Sequence, residues 1–214
     1  PAFWTTGLFN EADWQGQWIG LDRAAPGDSE TQWSRLAARY LRKEFAVKKD
    51  VKRATVHIAG MGLYELFING QRIGNQVLAP APTDYRKTIL YNTYDVTSLL
   101  QTENAIGVTL GNGRFYTMRQ NYKPYKIPTF GYPKLRLNLI VEYADGSKET
   151  IATNTSWKLT TEGPIRSNNE YDGEEYDARK ELGAWTQTGY DDKNWMPAQR
   201  VSIPSGTLRA QMMP

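Results

Sequence analysis

The feature that most constrains this chain is an alternation of apolar and polar residues with a period of two. From Arg53 to Ile58, Ala54, Val56 and Ile58 interleave with Arg53, Thr55 and His57, which places one set on each face of an extended strand. The pattern recurs at 63–68, where Tyr64, Leu66 and Ile68 share a face, and at 105–110 with Ile106, Val108 and Leu110. It recurs again at 135–143 through Leu135, Leu137, Leu139 and Val141, and helical spacing is nearly absent. Asn69-Gly70 ends the second run and predicts a hairpin, because both central residues of a type I′ turn need positive φ. Gln71 then opens the return strand, and Asp145-Gly146 joins the 135–143 run to a strand at 148–152. The run from Asp95 to Leu100 predicts one short helical turn capped by Asp95. Short strands punctuated by turns, with no long helix, predict an all-β antiparallel β-sandwich.

Composition narrows the function classes. A chain of 214 residues that is 40% apolar can build a core for one large domain or two small ones. Its formal charge of +3 comes from 26 basic against 23 acidic residues, without the clustered Lys and Arg that a nucleic-acid surface requires. No cysteine is present and His57 is the single histidine, which removes thiolate metal sites and multi-histidine centres. No apolar run is long enough to cross a membrane as a helix, and no charged start leads into an apolar stretch, so neither a helical span nor a signal peptide is expected. The chain opens on Pro1-Ala-Phe-Trp without an initiator Met and reads as a piece of a longer protein. Its 13 tyrosines and 7 tryptophans suit both sandwich cores and sugar stacking. Trp14, Trp18, Trp157, Trp185 and Trp195 are expected in core or rim packing.

Two stretches carry the chemistry-bearing residues. Between Asn168 and Trp185 the acids Glu170, Asp172, Glu174, Glu175 and Asp177 crowd together with Tyr171, Tyr176 and Arg179. An inverting glycosidase needs two carboxyl groups roughly 6.5–9.5 Å apart, and alternate residues of a strand such as Asp172 and Glu174 stand about 7 Å apart. Spacing alone permits catalysis, but no surrounding apolar sequence supplies the pocket that keeps one acid protonated. Three readings stay open: turn capping with Arg179 pairing an acid, a calcium site using Asp172, Glu174 and Asp177, and catalysis. Calcium takes several oxygen ligands at 2.3–2.6 Å, and the spaced loop of an EF-hand is missing.

The second stretch runs from Arg114 to Lys134 and holds six aromatics, five basic residues and prolines at 124, 128 and 133. An irregular connection of that length is functional or packs on a neighbour. Ring faces stack on sugar C–H surfaces while amides and guanidinium groups read hydroxyls, so Asn112, Arg114, Tyr116, Tyr122 and Tyr125 are the candidate carbohydrate residues. Packing against a neighbouring domain is the alternative. His57 is expected to be solvated or hydrogen-bonded rather than a base.

An ordered set of motifs resembles a known family. Arg42-Lys-Glu-Phe, Arg53 to Gly70, Tyr91-Asn-Thr-Tyr-Asp-Val-Thr and Glu103 to Gly113 are similar to the galactose-binding-like jelly roll that precedes many glycosidase catalytic domains. Trp14-Gln-Gly-Gln-Trp-Ile-Gly, Leu78-Ala-Pro with Thr83-Asp-Tyr, Leu110-Gly-Asn-Gly, Tyr171 to Arg179 and Asp191-Asp-Lys-Asn-Trp resemble bacterial α-L-rhamnosidases. Where that family commonly has Gly-Asp-Gly-Trp-Tyr, this chain has Gly111-Asn-Gly-Arg-Phe-Tyr116.

The resemblance implies a jelly-roll sandwich over 1–214, with 1–13 a tail or linker and 200–214 a linker toward a catalytic α/α barrel. It places the inverting acid and base in that barrel, leaving this chain a non-catalytic accessory domain with a rhamnose-containing carbohydrate as partner. It also implies calcium as a bridge to rhamnose in some such sandwiches. A free-standing carbohydrate-binding module and a structural spacer are the rival readings. The compartment is left open, with parents that degrade polysaccharides exported from the cell.

Overall fold

A computed structural model of the chain describes residues 7–24, 36–117 and 130–212. In chain order the strands are β1 (Ile19–Gly20), β2 (Arg39–Ala46), β3 (Val51–Met61), β4 (Leu63–Ile68), β5 (Gln71–Ile73), β6 (Thr88–Asp95) and β7 (Glu103–Gly111). They continue as β8 (Lys134–Tyr143), β9 (Lys148–Ala152), β10 (Lys158–Thr160), β11 (Ile165–Asn169), β12 (Gly173–Tyr176), β13 (Met196–Pro197), β14 (Gln199–Arg200) and β15 (Thr207–Ala210). One sheet runs β14-β1-β8-β3-β6-β15, with β9 also on β8, and the other runs β13-β10-β2-β7-β4-β5. The two form the faces of a jelly-roll sandwich, and β11 with β12 makes a separate hairpin.

The period-two residues meet where register demands. Val56 lies opposite Leu139, Ala54 opposite Val141 and Ile58 opposite Leu137. In the facing sheet Val108 lies opposite both Leu41 and Leu66. These side chains are fully buried and belong to one core that also encloses Trp157, each valine, leucine and isoleucine stabilising the fold by ~1.5–3 kcal/mol relative to exposure.

Both outer faces are covered as well. Trp14, Trp18, Tyr85 and Phe115 pack over Ala59 and Met61 on the first sheet, while Trp185 and Trp195 pack over Ala38 and Tyr40 on the second. His57 is therefore buried, with Nδ1 3.0 Å from Thr93 Oγ1. Burial lowers its pKa to about 4, so the ring is neutral and hydrogen-bonded, one of the two environments expected for it.

The turns follow the sequence signals. Asn69 and Gly70 hold φ of 51° and 83°, as a type I′ turn requires. Between β8 and β9 the Tyr143 N–H donates to Ser147 O at 2.9 Å, and Gly146 takes the left-handed position at φ 84°. The Asn69 side chain does more than turn the chain. Its Nδ2 donates to Leu99 O and Asn104 Oδ1, both at 2.9 Å, and its Oδ1 accepts from the Ala105 N–H at 2.9 Å.

Four details add to what the sequence led one to expect. At the 3₁₀ turn Thr97–Leu99 the residue in the N-cap position is Val96, which makes no side-chain cap bond; the Asp95 carboxylate one residue earlier supplies it, accepting from the Thr97 N–H at 2.9 Å and from the Thr97 hydroxyl at 2.6 Å. Pairing among the described strands is antiparallel, as expected, save that the short β15 runs parallel to β6. Residues 200–214, expected as a linker, contribute β15 to the first sheet. Within the expected 1–13 tail, the Leu8 N–H donates to the Tyr91 hydroxyl at 2.8 Å and Glu11 pairs with the buried Arg136.

Candidate functional site

The fold brings the two chemistry-bearing stretches together. After β7 the chain makes one helical turn, with the N–H groups of Phe115 and Tyr116 donating to Asn112 O. This turn rests on the β11–β12 hairpin. The Asn112 N–H donates to Asn168 Oδ1 at 2.6 Å, and Asn112 Nδ2 donates to Asn168 O at 2.9 Å and Leu36 O at 2.8 Å. Gly111 leaves room for this crossing, since a Cβ there would stand 2.7 Å from Asn168 Oδ1 and displace it from the Asn112 N–H.

One turn further, Arg114 Nη1 donates to Glu170 at 3.0 Å and to the Tyr171 hydroxyl at 2.6 Å. These hydrogen bonds raise the Arg114 pKa, with Glu170 the leading cause. With the two charged side chains 37% and 42% exposed, the ion pair contributes at most ~1 kcal/mol.

Three of the five expected carbohydrate residues are described. Asn112 is 1% exposed and its amide protons go to backbone carbonyls, so it ties loops together beneath the surface. Tyr116 is buried and stacked on Tyr132, with centroids 5.6 Å apart at 26°, which leaves it no open ring face. Arg114 alone of the three reaches solvent. Tyr122 and Tyr125 lie outside the described residues.

The acids of the calcium reading are not brought into one cage. Asp172 accepts from Asn169 Nδ2 at 2.9 Å, and Glu174 is an exposed β12 residue opposite Asn168. Asp177 caps the 3₁₀ turn at Ala178–Lys180 and binds Arg179 through both carboxylate oxygens at 2.8 Å. Arg179 thereby lowers the Asp177 pKa to about 2. Among the described residues no group of three acidic, histidine or cysteine side chains is placed to hold a metal ion. The donor set does not fit calcium in this arrangement, because Asp172 is held by Asn169, Glu174 stands on exposed β12 and both Asp177 oxygens are taken by Arg179. The capping reading of Asp177, with Arg179 as its partner, describes what the hairpin does.

The neighbouring depression was not visible in the sequence. A cavity of about 380 Å³ opens beside the Phe115 turn, lined among others by Tyr85, Arg86, Phe130, Tyr132, Lys134 and Asp22. Tyr85 meets Phe115 and Phe130 edge-on, each with centroids 5.2 Å apart, and Arg86 lies over the Phe130 ring at 5.9 Å. On the polar side Lys134 Nζ pairs with Asp22 and donates to Ser202 Oγ at 2.9 Å. Burial pushes the Asp22 carboxyl up, but bonds from Lys134 and Ser202 more than offset this and leave it below the usual range. Tyr85 belongs to the Thr83-Asp-Tyr motif and Phe130 and Tyr132 to the aromatic run, but neither stretch was expected to line a cavity; Asp22 and Ser202 carry no local signal.

The comparisons with known proteins show the family. The model described as the α-L-rhamnosidase N-terminal domain matches residues 49–214. An α-L-rhamnosidase of Formosa agariphila is 36% identical over 233 residues, covering 100% of this chain and 24% of that protein. The structure of α-L-rhamnosidase from Dictyoglumus thermophilum superposes with TM-score 0.82 at 42% identity, over 98% of this chain and 23% of that one. A Streptomyces avermitilis α-L-rhamnosidase, solved in complex with L-rhamnose, superposes with TM-score 0.73 at 39% identity, over 80% of this chain and 17% of that one. The chain thus spans about a quarter or less of the length of these relatives. With the match extending from the second long strand of the sandwich to its last residue, the chain belongs to the α-L-rhamnosidase N-terminal domain family.

Proposed function

We propose that this sandwich is a non-catalytic accessory domain of an enzyme that hydrolyses terminal α-L-rhamnosides with inversion, its acid and base lying in a downstream α/α barrel. The observation that carries this reading is the state of the carboxylate crowd. A glycosidic general acid needs an apolar pocket that holds its proton, whereas Glu170, Asp172, Glu174 and Glu175 are exposed and Asp177 is held ionised by Arg179. The crowd orders a hairpin and grips the Asn112–Tyr116 turn through Asn168 and Glu170.

The test is hydrolysis of an aryl α-L-rhamnoside by the 214-residue chain and by the full-length protein it comes from. The full-length protein is expected to turn over, releasing a β-configured sugar by NMR, while the chain alone releases none. Turnover by the chain alone, or a product of retained configuration, would overturn the proposal.

A second reading is that the sandwich itself holds a rhamnose-containing carbohydrate, favoured by the aromatic and polar walls of the cavity at Tyr85, Phe130 and Lys134. Its volume falls in the range of small-molecule sites. Titration with L-rhamnose, with and without calcium, should shift the amide resonances of Tyr132 and Lys134. Silence at millimolar sugar leaves the spacer role.

A further inference from the structure

Two large apolar side chains stand side by side in solvent: Val77 is 80% exposed and Leu78 is 69% exposed. Leu78 also holds φ at 61°, a left-handed conformation in which an L side chain crowds the following carbonyl and which Gly or Asn adopts far more readily.

The loop that carries them is clamped on both sides. Before the pair, Arg72 Nη2 donates to Gln76 O at 2.7 Å, and the Tyr94 hydroxyl donates to Gln76 Oε1 at 3.0 Å. After it, the Tyr64 N–H donates to Ala79 O at 2.8 Å, and the Ala81 N–H donates to Gln211 Oε1 at 3.0 Å. The surrounding hydrogen bonds therefore hold a leucine in a backbone conformation it resists and leave its side chain in water. Asn or Gly at 78 would make the same turn without the strain and without the apolar exposure. Local stability does not account for leucine here, and strain maintained by its surroundings points to a use for that side chain.

The bond between Ala81 and Gln211 indicates the occupant. It ties the loop, three residues past Leu78, to the segment that leaves the sheet after β15, where the next residue is Met212, 89% exposed. The chain accounts for only 24% of the Formosa agariphila relative, so most of such a protein lies outside the sandwich. We propose that Val77 and Leu78, together with Met212, are the knob on which the domain following this sandwich docks in the full-length polypeptide, through an apolar depression on that domain. The proposal rests on reading the chain as the accessory part of a longer rhamnosidase.

The experiment places Leu78→Asn, and separately Leu78→Gly, in the full-length protein and in the 214-residue chain. Both residues accept the left-handed backbone, so both variants fold. In the chain alone, each is expected to raise the unfolding midpoint by about 2–4 °C through relief of strain. In the full-length protein, each is expected to separate the sandwich's unfolding from that of the remainder. It should also speed amide exchange across 76–79 at least tenfold.

An equal gain in stability in both contexts would overturn the docking proposal. So would exchange at 76–79 that is as fast in the unmodified full-length protein as in the chain alone. A chain that sediments as a dimer dissolved by Leu78→Asn would assign the knob to a second copy instead, which also overturns it. Rhamnoside hydrolysis by the unmodified full-length protein is measured alongside; its absence defeats the functional reading while leaving the docking result interpretable.

Discussion

Asn112 and Asn168 hold each other twice, the Asn112 N–H donating to Asn168 Oδ1 at 2.6 Å and Asn112 Nδ2 donating to Asn168 O at 2.9 Å. This crossing fastens the carboxylate hairpin to the sandwich. Exchange of Asn112 for Asp, which differs only in replacing the amide by a carboxylate, is expected to be harmful. A carboxylate would face the carbonyls of Leu36 and Asn168 with no proton to donate. Asn112→Ala should cost about 1–3 kcal/mol and Asn112→Asp more at neutral pH, because a buried charge without partners costs more than a lost hydrogen bond. Urea unfolding at pH 7 and pH 5 checks this. The Asp penalty should shrink at the lower pH, where the protonated acid can donate, and an Asp variant as stable as wild type would refute the assignment.

His57 predicts a specific acid sensitivity. Its pKa falls from 6.5 to about 4 on folding because burial disfavours the imidazolium. Between those values the unfolded chain binds the extra proton and the folded chain does not, so stability rises with pH across this window and is lost as pH falls through it. The slope approaches about 1.4 kcal/mol per pH unit at most. His57→Asn offers a non-titrating amide to Thr93 in place of the ring nitrogen. The difference in stability between wild type and variant, measured from pH 7 to pH 4, should carry this slope; a flat difference would remove His57 as its source.

Much of the sandwich was legible because its core strands obey the simplest rule. Leu63–Ile68 and Lys148–Ala152 stand where alternation and the Asn-Gly and Asp-Gly turns place them, since one buried face and one turn fix register. Strands buried on both faces were harder to read. In β2, Tyr40 and Leu41 are both buried under different layers, so burial does not alternate and the strand is missing from the sequence-based expectation.

The candidate site was legible as residue types and not as roles. Asn112 and Tyr116 suit sugar recognition by chemistry, yet Asn112 is tied to Asn168, 56 residues on, and Tyr116 is stacked on Tyr132 beyond the proline-rich loop, contacts that no local pattern encodes. Asp22 joins the cavity by pairing with Lys134 across 112 residues, which is equally invisible to spacing.

Asn69 separates turn chemistry from side-chain bonding. If it served only the positive φ of the hairpin, Asn69→Gly would be nearly neutral, because glycine adopts that conformation freely. Its amide also joins Leu99, Asn104 and Ala105, and Asn104 is fully buried. Asn69→Gly is therefore expected to cost about 1–3 kcal/mol, the cost of leaving buried partners unsatisfied. Chemical denaturation reads this directly, and a change of only a few tenths would mean that those bonds add nothing beyond the turn.

Arg42 fastens the last aromatic layer to the second sheet. It is 1% exposed, and its Nε donates to Trp185 O at 2.9 Å and Nη2 to Gln187 O at 3.0 Å. The guanidinium also pairs with Glu44 and Asp192 and lies over the Tyr190 ring at 5.3 Å. Lysine has a single nitrogen and cannot reproduce this fork. Arg42→Met fills the space but leaves both acids and two carbonyls without their donor. Its cost should be roughly 2–3 kcal/mol, below the ~3–5 of a fully buried pair, because Glu44 and Asp192 keep 40% and 24% side-chain exposure. Arg42→Lys should recover less than half of that loss. Because Trp185 and Trp195 share this layer with Tyr40, both variants should change the near-ultraviolet circular dichroism before the sandwich core unfolds. A cooperative loss of all signals together would show instead that the aromatic layer and the core unfold as one unit.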